Sequence, residues 1–288
     1  MDAGTRIERA LQSAVARSHA PGCPPGLAAA MRHAVFPRGA RVRPRLCLAV
    51  ATACGETDYA LTDAAAAAIE LLHCASLVHD DLPCFDDADM RRGRPSVHRA
   101  FGEPLALLAG DALIVLAFQT LAQVACASQS FAMVLRTISG SVGVPSGIVA
   151  GQAWECESEV DLSHYHRAKT GALFAAAAVT GAAAAGANGL EWAALGERLG
   201  EAYQVADDIR DAAADPEEVG KPTGRDPLLG RPSAVGALGL DGALHRLHAL
   251  VAAAGEAIPP CSGGPALRAL ILSEVKRLVP KTLAQSAA

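Results

Sequence analysis

Aromatic side chains make up only 4% of the 288 residues, and valine and isoleucine are thinly spread. Such a chain has little of the material that favours β-strands. Alanine, the strongest helix former, dominates the apolar share instead, so an all-α fold is the first expectation. Charge of one sign is also scarce: net charge is −5, with no basic tail or stripe, which argues against a nucleic-acid partner. The eight cysteines include no C-x-x-C pair and no metal-type spacing, so neither a zinc site nor a dithiol redox motif is expected. Most of them lie in apolar runs, where a thiol acts as a small hydrophobe. No secretory signal pattern opens the sequence, and a reducing cytoplasm is the expected setting. Residues 171–186 are uncharged but consist mostly of alanine and glycine, too weakly apolar for a membrane span and better suited to a tightly packed core helix. What is present is 51% hydrophobic content, enough to exclude intrinsic disorder.

Proline and glycine punctuate the chain at 21–25, 36–39, 55–58, 93–95, 145–147, 186–189, 215–232 and 259–265. Between these breaks lie segments of about 10 to 25 residues with helical apolar spacing. Leu61–Leu82 and Leu105–Ala127 are apolar on most sides, which predicts buried helices. Glu191–Asp215 begins after Asn-Gly and ends at Asp-Pro, both boundary signals. No alternating run is long enough for a sheet. The expectation is roughly ten helices around one core, a single domain over residues 1–288.

Two aspartate clusters stand out. Asp80, Asp81, Asp86, Asp87 and Asp89 directly follow an apolar helix on which Glu70, His73 and Ser76 share the face of Asp80, since residues three or four apart lie together. The second cluster is Asp207, Asp208 and Asp211, with Glu201, Gln204 and Asp215 around it. At 100° per residue these six fall on one helix face, opposite Ala202, Val205, Ala206 and Ile209. A solvated acidic face is the commoner meaning of a single cluster. Neighbouring carboxylates repel, however, and Arg210 is the one basic residue interleaved in either cluster, fewer than a surface helix would use. Two such clusters ask for a shared cation. Oxygen ligands without cysteine or histidine suit Mg²⁺ or Mn²⁺, which complete their shells with water and substrate phosphates.

Cations able to grip such a phosphate accompany the clusters: Arg91 and Arg92 after the first, Lys221 after the second, with Lys169-Thr170, Arg41 and Arg43 elsewhere. Singly each is more often a surface charge. As a set they fit a polyanionic substrate bridged by metal.

At these residues the sequence resembles the trans-prenyl diphosphate synthases. Asp80-Asp81-Leu-Pro-Cys-Phe-Asp86 with Asp89-Met-Arg91-Arg92-Gly93 resembles the family's first aspartate-rich motif in its bacterial and plant form. Gln204-Val-Ala-Asp207-Asp208-Ile-Arg-Asp211, with Gly220-Lys221 downstream, resembles the second. His73, Gly151-Gln152 and Lys169-Thr170 also fall at positions the family uses, and the likeness is strongest to bacterial geranylgeranyl diphosphate synthases of pigment pathways. The resemblance implies an isoprenoid-synthase-type helical bundle around a central apolar cavity, usually a homodimer. It implies that Asp80, Asp81, Asp86, Asp207, Asp208 and Asp211 hold about three Mg²⁺ ions, Mn²⁺ being able to substitute, on an allylic diphosphate. Arg91, Lys169 and Lys221 would complete that grip; Arg43, His73 and Arg92 would hold isopentenyl diphosphate; Thr170 and Gln204 would lie against the reacting carbons.

The match has gaps. The family's Gly-Gly-Lys-x-x-Arg-Pro reads Arg38-Gly39-Ala40-Arg41-Val42-Arg43-Pro44, so Ala40 replaces a lysine for isopentenyl diphosphate, with Arg38 and Arg41 as possible stand-ins. A second usual lysine is Arg231. The expected reaction is ionisation of dimethylallyl, geranyl or farnesyl diphosphate, attack by isopentenyl diphosphate and proton loss, with the departing diphosphate as the base. Ala75, where a bulky aromatic would stop growth at C15 in the family, and its neighbour Ser76 leave room for a C20 product, with Phe118 a candidate floor. The alternatives are a farnesyl diphosphate synthase, a subunit of a heteromeric synthase with little activity alone, a terpene cyclase and a plain acidic cation-binding protein. The all-aspartate second motif and the accompanying cations weigh against the last two.

Overall fold

The computed structural model describes residues 2–36, 39–124, 129–159, 162–213 and 233–276. Helix starts follow local side-chain chemistry. Asp2 accepts the Thr5 amide at 3.1 Å and opens α1 (Ala3–Ala16). Proline in the first turn begins α2 (Pro25–Val35), where its missing N–H costs nothing; α3 spans Val42–Ala53. Asp58 accepts the Leu61 amide at 3.0 Å and opens α4 (Tyr59–Asp80). Each cap satisfies a donor that the helix leaves unpaired. Beyond α4 come α5 (Val97–Phe101), α6 (Glu103–Ala122), α7 (Gln129–Val142), α8 (Ile148–Ala153) and α9 (Leu162–His166). A π-helical turn, Arg167–Gly171, leads into α10 (Ala172–Ala184), followed by α11 (Ala193–Ala213), α12 (Ala234–Glu256) and α13 (Gly264–Lys276). Among the described residues ten helices have eleven residues or more, the number that the breaks predict.

One feature departs from the all-helical expectation. Met90–Arg91 (β1) and Arg94–Pro95 (β2) form a two-residue-per-strand hairpin, with Met90 opposite Pro95 and Arg91 opposite Arg94. Its turn residues, Arg92 and Gly93, have φ of 52° and 73°, the left-handed pair that a tight two-residue hairpin turn requires.

Helix α4 runs through the main core, with Leu61, Ile69, Leu71 and Leu72 at 2% exposure or less, and packs on α1, α3, α6 and α10. The run at 171–186 becomes α10, buried along nearly its whole length from Ala176 to Ala184 and packed against α3, α7 and α11; small side chains let those backbones come close. A second, smaller apolar cluster joins Ala202, Val205, Ala206 and Ile209 of α11 to Ala243, Leu247, Leu250 and Val251 of α12. Both α4 and α6 are long and apolar enough to cross a membrane by length and composition. α4 lies mostly inside the protein, whereas the expectation of a buried helix fails for α6. Among the described residues Leu107, Leu108 and Val115 of α6 are each about half exposed.

Candidate active site

The two aspartate clusters open into one cavity of about 580 Å³. Its wall comes from α4, the β1–β2 hairpin, α8, the π turn, α11 and residues 40–43. Asp80, Asp86, Asp89, Asp207 and Asp211 line it, as do Arg43, His73, Ser76, Arg91, Arg92, Lys169, Thr170 and Gln204. On α4 the stripe Glu70, His73, Leu77 and Asp80 faces the cavity, the spacing of one helical face. Lys221, Asp215, Arg38 and Arg231 lie outside the described residues.

The structure divides the six carboxylates expected to share a cation. Asp80, Asp86, Asp207 and Asp211 line the cavity, while Asp81 and Asp208 do not. Asp81 is 2% exposed and is gripped by Arg91, whose Nε and Nη2 donate to Oδ1 at 3.0 and 2.5 Å. Asp208, 3% exposed, accepts Gln204 Nε2 at 2.9 Å and the Ala234 amide at 2.7 Å; it thereby fixes the start of α12. Glu201 turns to Arg246 on the same helix. The single acidic face expected on α11 is thus split, because α12 covers one edge of it. Asp80 accepts Gln152 Nε2 at 3.0 Å, and Lys169 Nζ stands 3.6 Å away. Burial pushes the carboxyls of Asp80, Asp81 and Asp208 above the usual range, outweighing Lys169 and Gln152 at Asp80, Arg91 at Asp81, and the Ala234 amide and Gln204 at Asp208.

The opposite end of the cavity is basic. Arg41 donates to Glu8 at 3.0 Å, to Glu70 at 2.7 Å and to the Val35 carbonyl at 2.9 Å. Its guanidinium is therefore committed to the protein, which removes it as a stand-in for the lysine missing at Ala40. Arg92 Nη2 stands 3.5 Å from the same Glu70. Among the described residues no carboxylate pairs with Arg43. Its guanidinium stacks over Phe174 at 4.6 Å and Tyr203 at 5.7 Å, and its buried Nε lacks a hydrogen-bond acceptor. Burial lowers its pKa, only partly offset by Tyr203, Glu70 and Asp207. His73 is likewise driven well below its ordinary value by burial and then by the surrounding arginines, so the ring is neutral at pH 7. The non-glycine residues with left-handed backbone, among those described, are Arg41, Asp87 and Arg92. Each such conformation costs about 1–2 kcal/mol, and all three sit on the loops beside this cavity, where strain is often kept for function.

Lys169 and Thr170 occupy the π turn, a feature frequent at functional sites. Thr170 Oγ1 donates to Gln204 Oε1 at 2.8 Å, tying the turn to α11. Glu155, Tyr165, Phe174 and Tyr203 escaped the sequence reading. Only Glu155 left a trace there, as the first charged residue after Arg136. Ser76 lines the cavity between His73 and Leu77, but Ala75 is buried outside its lining. Ala75 lies one turn before His79, whose ring contacts the Leu107 carbonyl of α6 at 3.4 Å. Ala75 belongs to the main core cluster. Phe118, also on α6, packs against the core rather than lining this cavity.

Residues 24–255 match the polyprenyl synthetase family. The chain belongs to this family. It is 52% identical over 97% of both chains to the geranylgeranyl diphosphate synthase of Cereibacter sphaeroides, and 50% identical over 94% of both to that of Rhodobacter capsulatus. The fold matches the geranyltransferase of Helicobacter pylori complexed with magnesium and isoprenyl diphosphate. That match has a TM-score of 0.82 and 29% identity, and covers 95% of this chain and 96% of that one. The chain is therefore a prenyltransferase with the isoprenoid-synthase fold, and its family uses Mg²⁺. Its high-identity relatives support the geranylgeranyl reading over the farnesyl and partner-subunit alternatives.

Proposed function

We propose that this polyprenyl synthetase condenses isopentenyl diphosphate with dimethylallyl, geranyl or farnesyl diphosphate and releases geranylgeranyl diphosphate. The observation that carries this reading is the polarity of one cavity, with oxygen-only acidic donors at one end and arginines around a neutral histidine at the other. The donor set fits Mg²⁺: Asp80, Asp86, Asp207 and Asp211 would hold about three ions, or Mn²⁺ in their place. Bound there, the metal supplies the positive charge that eases departure of the allylic diphosphate. Arg91 and Lys169 grip that diphosphate, with Lys221 assigned the same role. Asp81 and Asp208 act behind the wall, holding Arg91 and the start of α12. Arg43, Arg92 and His73 receive the diphosphate of isopentenyl diphosphate; Thr170 and Gln204, linked to each other, border the reacting carbons. Leu77 and Ile148 in the lining exclude water from the allylic cation, and no protein base is assigned, since the departing diphosphate can take the proton.

We further place the enzyme in the cytoplasm as a homodimer of one-domain chains; the half-exposed Leu107, Leu108 and Val115 on α6 support the pairing. The test is to incubate the purified chain with labelled isopentenyl diphosphate and C5, C10 or C15 primers. Product length is read by chromatography after dephosphorylation. A C20 alcohol that requires Mg²⁺ is expected, and no metal-dependent diphosphate release from any primer would overturn the reading.

A further inference from the structure

Glu155 belongs to neither aspartate motif, yet its Oε1 accepts two short hydrogen bonds, from Lys169 Nζ and from the Tyr165 hydroxyl, both at 2.6 Å. Local structure brings it there. α8 passes into a short 3₁₀ turn, Trp154–Cys156, that carries Glu155. Gly151 lets α8 touch the π turn: a β-carbon at that position would stand 2.4 Å from the Lys169 backbone nitrogen. The Tyr165 ring lies 5.8 Å from Nζ. The ammonium is thus bonded to Glu155 and stands 3.6 Å from Asp80 Oδ1, beyond hydrogen-bond distance.

Two carboxylates therefore compete for one ammonium. Without the nearer one, Lys169 would close on Asp80, and an ammonium on that oxygen competes with a cation for the same lone pairs. We propose that Glu155, braced by Tyr165, is a positioning residue that holds Lys169 off Asp80. That carboxylate then stays open to the metal–diphosphate complex while the ammonium stays within reach of a phosphate oxygen. This rests on the function proposed above.

The test is binding of Mn²⁺ in the presence of inorganic diphosphate, with free Mn²⁺ counted by electron paramagnetic resonance, in the full chain. Glu155→Gln should raise the apparent Kd for Mn²⁺ roughly three- to tenfold, and Tyr165→Phe should raise it less while leaving the charge in place. In a Lys169→Ala background Glu155→Gln should add nothing, because the partner it acts through is gone. An undiminished effect in that background would mean that Glu155 acts on the cation directly, and overturns the proposal; so does an unchanged Kd in folded Glu155→Gln. Should Glu155→Gln fail to fold, an unchanged Kd in Tyr165→Phe decides against it equally. If wild-type protein binds no Mn²⁺ with diphosphate and shows no Mg²⁺-dependent turnover, the proposed function fails and takes this inference with it. Normal wild-type binding matched by the variants sinks this inference alone.

Discussion

The two ends of the cavity handle their charge in opposite ways. At the acidic end Asp80, Asp86, Asp207 and Asp211 face inwards, and burial holds Asp80 towards its protonated form. At the basic end Glu70 already takes Arg41 and stands near Arg92, while Arg43 rests on aromatic rings with a donor unused. The acidic wall is incomplete without added positive charge; the basic wall is partly neutralised and keeps few donors for a ligand. Changes at the acidic end should therefore decide whether the reaction runs, and those at the basic end how tightly one substrate is held.

The largest effect lies within the aspartate pairs. Asp80→Asn or Asp207→Asn should lower turnover by at least about a hundredfold, and excess chelator should abolish it until Mg²⁺ is restored. Thermal unfolding of the metal-free Asp80→Asn protein should occur at the same temperature or higher, because a buried acid short of charge is removed. Asp208→Ala should behave differently. It orphans the Ala234 amide and so destabilises by about 1–3 kcal/mol, measured by denaturant unfolding. Equal loss of stability in Asp80→Asn and Asp208→Ala would erase the distinction between cavity and buttress.

Product length sharpens the contrast between neighbours on α4. Ser76→Phe should shift the product from C20 towards C15, read by chromatography. Ala75→Phe should leave product length unchanged and cost about 1–3 kcal/mol through overpacking in the core. The reverse pattern would place the growing chain against Ala75 rather than Ser76.

Much of this was legible in the sequence because it rests on local periodicity. The helix count, the stripe Glu70–His73–Asp80 and the joining of two acidic segments follow from spacing and charge alone. Division of labour inside each Asp-Asp pair was not legible. Asp208 is withdrawn by an amide from α12, and Asp81 by Arg91 ten residues on; only tertiary packing decides which carboxylate meets a donor. The same holds for Glu155, whose partners lie ten and fourteen residues away. α6 misled for another reason. Its composition reads as core, but among the described residues Leu107, Leu108 and Val115 on it are half exposed.

A tenfold effect is expected at the basic end. Ala40 is exposed on the cavity wall, and Arg41 is bound to Glu8, Glu70 and a carbonyl. Ala40→Lys should thus add one charge-assisted contact and lower the KM for isopentenyl diphosphate about tenfold, with turnover little changed, the pattern of uniform binding. An unchanged KM would show that this end already has its full set of donors.

The smallest effect concerns the charge state of His73. Its folded pKa lies well below 6.5, first through burial and then through Arg43, Arg92, Arg91 and Arg41, so the native ring resists a proton that the unfolded ring accepts. The resulting stability is present above about pH 6.5 and is lost as pH falls towards the folded value. Asp80, Asp81 and Asp208, whose values are raised, act in the opposite sense. They are common to wild type and His73→Gln and cancel between them. On moving from pH 7.5 to 5.5 the wild type should therefore lose about 2 °C more in Tm than His73→Gln. Over the same range a ring that stays neutral gives no inflection near pH 6.5 in the KM for isopentenyl diphosphate. An inflection there that His73→Gln abolishes would mean that the histidine titrates normally, and that the arginines around it are not close enough to set its charge.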